Sequence, residues 1–123
     1  MLSRLKRGTI CAAALALAAV VAVPAFADGD FGPDTCLNGF VWREARPTDH
    51  VCVTGAVREQ TRADNASAPA RRSPNGGPFG PDTCLQGYVW REAFGDDHVC
   101  VIAATRSQAA ADNRAAANRR PAF

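Results

Sequence analysis

The apolar positions of this chain fall into three patterns, in a fixed order. An unbroken apolar run from Ile10 to Val23 comes first. Two short segments rich in aromatic and β-branched residues follow, Gly39-Phe40-Val41-Trp42-Arg43-Glu44 and His50-Val51-Cys52-Val53, and they predict the strands of a β-hairpin. Gly32-Pro33-Asp34 ahead of them is turn chemistry, and Arg46-Pro47-Thr48-Asp49 between them reads as the hairpin loop. From Ala56 to Asn65 the composition turns to Ala, Arg and Gln without Gly or Pro, which predicts a helix from intrinsic propensity. Beyond alanine that helix has little except Val57 to bury, so its docking is expected to be loose.

The whole succession occurs twice. Phe31-Gly-Pro-Asp-Thr-Cys36 through Trp42-Arg43-Glu44-Ala45 returns 48 positions later as Phe79 through Ala93. Residues 31–53 match their counterparts at 18 of 23 positions, whereas the next 19 match at about half, so the hairpin is held more tightly than the helix. A fixed period makes each copy one structural unit. The second copy carries strands at Gly87–Glu92 and His98–Val101, a loop at Phe94-Gly95-Asp96-Asp97 and a helix over Ala103–Asn118. The expected fold class is therefore a small disulfide-stabilised α+β protein of two tandem repeats, each a β-hairpin followed by an Ala-rich helix. Residues 28–65 form the first module and 79–120 the second, with a short tail at 121–123. Residues 66–78, with three prolines and two glycines, read as a linker. If flexible it holds the modules about 20 Å apart.

The first apolar run alters how charge is read. Arg4, Lys6 and Arg7 precede it and Ala25-Phe26-Ala27 follows, which together have the form of a secretory signal peptide over residues 1–27, cleaved before Asp28. A membrane span needs roughly 20 apolar residues, more than this run supplies, so no anchor is expected after cleavage. Cleavage removes three of the 14 basic residues and none of the 12 acidic ones, which turns a net charge of +2 into one near −1. That balance gives no electrostatic case for nucleic acid or anionic membranes as partners. The pairs Arg71-Arg72 and Arg119-Arg120 read as solvated helix ends, where cations suit the negative end of the helix dipole.

Cys11 leaves with the signal peptide, and four cysteines remain in a chain bound for an oxidising compartment. Four cysteines allow three pairings. A unit that once folded as a single copy had only its own two to join, which favours Cys36 with Cys52 and Cys84 with Cys100. Each closes a loop worth about 3 kcal/mol in the chain-entropy account. The competing reading is a metal site, since His50 and His98 lie two residues before the second cysteine of each pair, with Asp49 and Asp97 beside them. No Cys-x-x-Cys is present and exported thiols oxidise, so no cofactor is expected.

Strand alternation places Phe40 and Trp42 on one face and Val41, Arg43 and Ala45 on the other, and Tyr88, Trp90 and Arg91 repeat the arrangement. Two rings about 7 Å apart along a strand can stack on sugar rings if exposed. They can equally be the core of a module with few other large apolar residues, and a half-buried Trp with one open edge satisfies both. Phe40, Trp42, Arg43, Tyr88, Trp90 and Arg91 are the candidate ligand-binding residues. Arg43, Glu44, Asp49 and His50 read as salt bridges and turn contacts on the rim. Asn65-Ala66-Ser67 has the form of a glycosylation sequon, and no catalytic motif is present.

The string Cys-Leu-[Asn/Gln]-Gly-[Phe/Tyr]-Val-Trp-Arg-Glu-Ala, followed by Asp-His-Val-Cys-Val and then Arg, Gln and Asp-Asn in the helix, resembles small exported actinobacterial proteins that carry this unit in tandem. The resemblance covers the whole mature chain and implies no particular activity. Gly55 stands where such units often have a helix-starting Pro. The function expected from the residues is a secreted, non-enzymatic binding protein, bivalent for cell-wall or environmental polysaccharide. The alternative is a protein-directed factor, such as a protease inhibitor acting through the loop from Arg43 to Asp49. A structural envelope or matrix spacer is the third reading.

Overall fold

A computed structural model describes residues 31–122, so the expected signal peptide at residues 1–27 and its Cys11 lie outside the described residues. In the first module β1 (Val41–Trp42) pairs antiparallel with β2 (Cys52–Val53), in the register Val41 opposite Val53 and Trp42 opposite Cys52. Helix α1 (Gly55–Ser67) follows, then a 3-10 turn, Ala68–Arg71. The second module repeats this with β3 (Val89–Trp90), β4 (Cys100–Val101), α2 (Ala103–Ala115) and a 3-10 turn, Ala116–Arg119. Disulfides join Cys36 to Cys52 and Cys84 to Cys100. The fold is thus a small α+β of two repeated hairpin-helix units, each closed by its own disulfide. Among the described residues no helix is long and apolar enough to cross a membrane.

The strands are shorter than their alternation predicts, and the cause is Glu44. Its φ of 56° turns the chain out of the extended region, as does the φ of 55° at Glu92. For a residue with a side chain that conformation costs roughly 1–2 kcal/mol. Backbone bonds from Arg43 N to Val51 O (2.8 Å) and Glu44 N to Asp49 O (3.1 Å) carry the hairpin past the strands. The Asp49 carboxylate then holds the loop, accepting from the Ala45 amide at 3.0 Å and the Val51 amide at 3.4 Å.

The expectation that Arg43 and Asp49 sit on a rim is corrected: they are interior. Arg43 is 2% exposed and Asp49 7%, and the guanidinium meets the carboxylate bidentately, Nε to Oδ2 at 2.7 Å and Nη2 to Oδ1 at 3.1 Å. Arg91 and Asp97 repeat the pair at 2.6 and 3.1 Å. The physical reason is a shortage of large apolar residues. The apolar core is small, Ala45, Ala93 and Ala109 with Phe94 packed against them, plus Val53, Val101 and the disulfides. Two arginine stems fill the remaining volume, and their charges enter only because each has a buried partner. Burial works to raise the Asp49 carboxyl. The Arg43 hydrogen bonds, the Ala45 amide, the Arg43 charge and the Val51 amide outweigh it and hold the group below its ordinary value.

Residues 66–78 do not form a free linker. Helix α1 runs on to Ser67, and Arg72 pairs with Cys84 in an antiparallel bridge flanked by Ser73 N to Thr83 O and Leu85 N to Arg71 O, both 2.8 Å. Gly77 packs against Thr83 so closely that a Cβ there would meet its Cγ2 at 2.9 Å. The modules are packed together instead of being held apart. Arg71 donates to Cys100 O at 3.3 Å and lies over the Tyr88 ring at 5.0 Å, while Arg119 donates to Cys52 O at 2.9 Å and lies over the Phe40 ring at 4.8 Å. Arg72 pairs with Asp82, and Arg120 approaches Asp34. Arg71 and Arg119 are therefore not solvated helix ends, while Arg72 stays exposed beside Asp82. Arg71 and Arg119 each reach across from their own module and clasp the other.

Candidate functional site

The hairpin of each module forms one wall of an open cleft. Trp42 is positioned by three contacts: its Nε1 donates to Asp34 O at 2.8 Å, the His50 ring stacks on it at 3.8 Å, and Phe31 meets it edge-on at 5.4 Å. The turn at Gly32–Asp34 makes this possible, because Thr35 accepts from the Phe31 amide (2.9 Å) and donates to Gly32 O (2.8 Å), folding the segment back over the strand. His50 Nδ1 lies 2.9 Å from Asp34 Oδ2. Trp90 repeats the arrangement with Asp82 O at 2.9 Å, His98 at 3.8 Å and Phe79 at 6.0 Å. The indole is thus half-buried, its nitrogen satisfied and one face covered by imidazole.

Phe31, Phe40, Val41 and Trp42 line the first cleft, about 240 Å³ in volume, together with the ion-paired Glu44 and Arg58. Phe79, Tyr88, Val89 and Trp90 line the second, about 360 Å³, together with Glu92 and Arg106. Every lining residue of one cleft is the counterpart, 48 positions on, of a lining residue of the other. Tyr88 in place of Phe40 is the one change of residue type. Of these lining residues Phe31 and Phe79 are largely exposed, at 67% and 71%. The strained Glu44 and Glu92 are among the lining residues, and a backbone outlier kept in both copies beside a cleft is a pointer to function.

Of the residues proposed from sequence, Phe40, Trp42, Tyr88 and Trp90 come together in these clefts. Arg43 and Arg91 do not, because both are buried and committed to aspartate. Phe31, Glu44 and Arg58, with their counterparts, were missed as site residues. A signal for Arg58 was its retention as Arg106 in a helix where about half of the positions changed. His50 and His98 sit beside Asp34 and Asp82, and the cysteines that a metal would need are in disulfides. Among the described residues no group of three or more His, Cys, Asp or Glu converges on a point that could hold a metal ion. The hydrogen bond from His98, against a smaller opposing effect of burial and with Arg72 assisting, holds the Asp82 carboxyl below its ordinary value. Asn65 of the sequon donates to Ala45 O at 3.1 Å, which ties its amide into the fold.

No family model matches the chain, and neither a curated protein nor a solved structure matches it significantly.

Proposed function

We propose that the protein is a secreted, non-enzymatic binding protein that holds extracellular polysaccharide in its two aromatic clefts. The observation that carries the reading is the pair of matching clefts, each lined by an indole fixed in orientation, a largely exposed phenylalanine and a Glu-Arg pair. A rigid ring stacks on the apolar face of a sugar at little entropic cost, and a carboxylate beside a guanidinium offers both acceptor and donor to hydroxyls. Two disulfides suit an oxidising compartment outside the cell.

The protein-directed alternative has less support. It relies on the loop from Arg43 to Asp49, where Ala45 is buried and Arg46 lies over Phe94 of the other module at 3.8 Å. Only Glu44 and the tip of that loop, Arg46 to Thr48, are exposed. The test is co-sedimentation of oxidised residues 28–123 with chitin, microcrystalline cellulose, insoluble xylan, curdlan and purified peptidoglycan. Retention on one of them that falls at least tenfold in Phe31→Ala/Phe79→Ala, with circular dichroism unchanged, supports the proposal. Retention on none of them, or retention indifferent to both phenylalanines, sinks it.

A further inference from the structure

We infer that the protein joins two separate polysaccharide strands and does not clamp along a single one. The inference rests on the carbohydrate reading above and adds to it the relative direction of the two clefts. Leu37 N donates to Arg119 O at 2.7 Å, and the equivalent Leu85 N donates to Arg71 O at 2.8 Å. Arg119 reaches Cys52 O as Arg71 reaches Cys100 O, and Arg119 covers Phe40 as Arg71 covers Tyr88. These three contacts between the modules are thus returned between the same positions with the roles exchanged. Only an approximate twofold rotation does this, because a second application of the operation must carry the second module back onto the first. A translation or a screw would leave one set of contacts without its return.

The same rotation relates the clefts, whose lining residues correspond one to one. A twofold axis reverses every direction perpendicular to it. The line joining the two cleft centres crosses that axis at a right angle. A straight strand long enough to fill both clefts would follow this line, and its chemical direction, from non-reducing to reducing end, would enter the second cleft opposite to the first. Two clefts made of the same residues prefer the same direction. A single strand therefore satisfies one cleft at a time, while two strands satisfy both. The avidity gain of about 10² to 10⁴ available to linked sites is then realised on bundled or neighbouring strands and lost on an isolated one.

The experiment mixes the oxidised protein with soluble wheat arabinoxylan, barley mixed-linkage β-glucan, hydroxyethylcellulose and glycol chitin, and follows light scattering against protein concentration. On the polymer that binds, scattering rises several-fold, peaks and then falls as excess protein fills strands through one cleft each. Phe31→Asp and Phe79→Asp, placed at exposed positions that leave the fold intact, each still bind with about half the apparent affinity, the loss of one of two independent sites. Neither raises scattering. The inference is overturned if the wild-type protein forms non-scattering complexes whose affinity exceeds that of the one-cleft variants by about 10² or more, since that is a clamp on one strand. Wild-type binding without cross-linking defeats the inference alone. Failure to bind any soluble or insoluble polymer defeats the carbohydrate reading and the inference with it.

Discussion

Replacing Arg119 with alanine tests whether the two modules fold as one body. Arg119 belongs to the second module, yet it donates to Cys52 O of the first, lies over Phe40, and pairs with Asp112 Oδ1 at 2.9 Å. Asp112 is 1% exposed, its Oδ2 has no partner, and its other support is Gln108 Nε2 at 3.2 Å. Removing the guanidinium leaves a buried carboxylate without its counter-charge, a change that costs about 3–5 kcal/mol. Arg119 is itself 22% exposed, so water reaches part of the hole. The lower figure of about 3 kcal/mol applies. The lost bond to Cys52 O adds about 1 kcal/mol. At roughly 4–8 °C per kcal/mol for a domain of this size, Tm falls by roughly 16–32 °C. Differential scanning calorimetry of oxidised residues 28–123 should show this as one transition, moved as a whole. Arg71→Ala should behave alike. The variant Arg119→Ala/Asp112→Ala removes both charges and should recover more than half of the loss. A shift under about 5 °C, a double variant no more stable than Arg119→Ala, or separate melting of the first module at its original temperature would refute the interlock.

Three further outcomes follow from the geometry. Trp42→Ala, which removes a half-buried ring, its bond to Asp34 O and its stack on His50, should cost about 3 kcal/mol in urea denaturation, whereas Phe31→Ala should cost under about 1 kcal/mol. Equal losses in the two variants would show that the indole is not a structural member. Asp49 and Asp82 have carboxyls held below their unfolded value of 3.8, so the stability they contribute is fully present above that value and is lost as pH falls through it. Tm should therefore drop steeply below about pH 4, and the acid limb should be shallower in Asp49→Asn, measured relative to its own neutral-pH Tm. Reduction with dithiothreitol should remove about 3 kcal/mol per disulfide. Together the two losses reach the lower range of whole-domain stabilities, so the reduced chain should be largely unfolded at 37 °C by circular dichroism.

The order of elements and the disulfide pairing were legible because they are local, and the duplication states them twice. Cys36 and Cys52 close a single hairpin, and no knowledge of the other module is needed to join them. The half-buried Trp42 was also within reach, since a module with so few large side chains could neither wholly hide nor wholly expose it. What escaped was everything that crosses between modules. Arg71-Arg72 reads as a solvated helix end in any local window, and nothing in that window contains Cys100, Tyr88 or Asp82. A clue was nevertheless present in the comparison of the copies. Arg58, Gln60, Asp64, Asn65, Arg71 and Arg72 recur as Arg106, Gln108, Asp112, Asn113, Arg119 and Arg120, while their neighbours Val57, Thr61 and Ser67 became Thr105, Ala109 and Ala115. Polar residues that persist while their neighbours change are holding something. Arg43 was harder, because strand alternation gives its face correctly but cannot tell a solvated face from one covered by another module.

The polar interior has a thermal consequence. Arg43, Arg91, Asp49, Asp64, Asp97 and Asp112 occupy space that a domain of this size usually fills with leucine and phenylalanine. Hydration of apolar surface raises the heat capacity of unfolding by about 0.45 cal/mol/K per Å² and hydration of polar surface lowers it by about 0.26. Unfolding this chain exposes the two in closer balance than usual, so its heat-capacity change falls below the ordinary value of about 12–15 cal/mol/K per residue. The free energy of folding then varies little between cold and warm surroundings. Such a chain keeps much the same margin of stability over a wider span of temperature than a domain with an apolar core does.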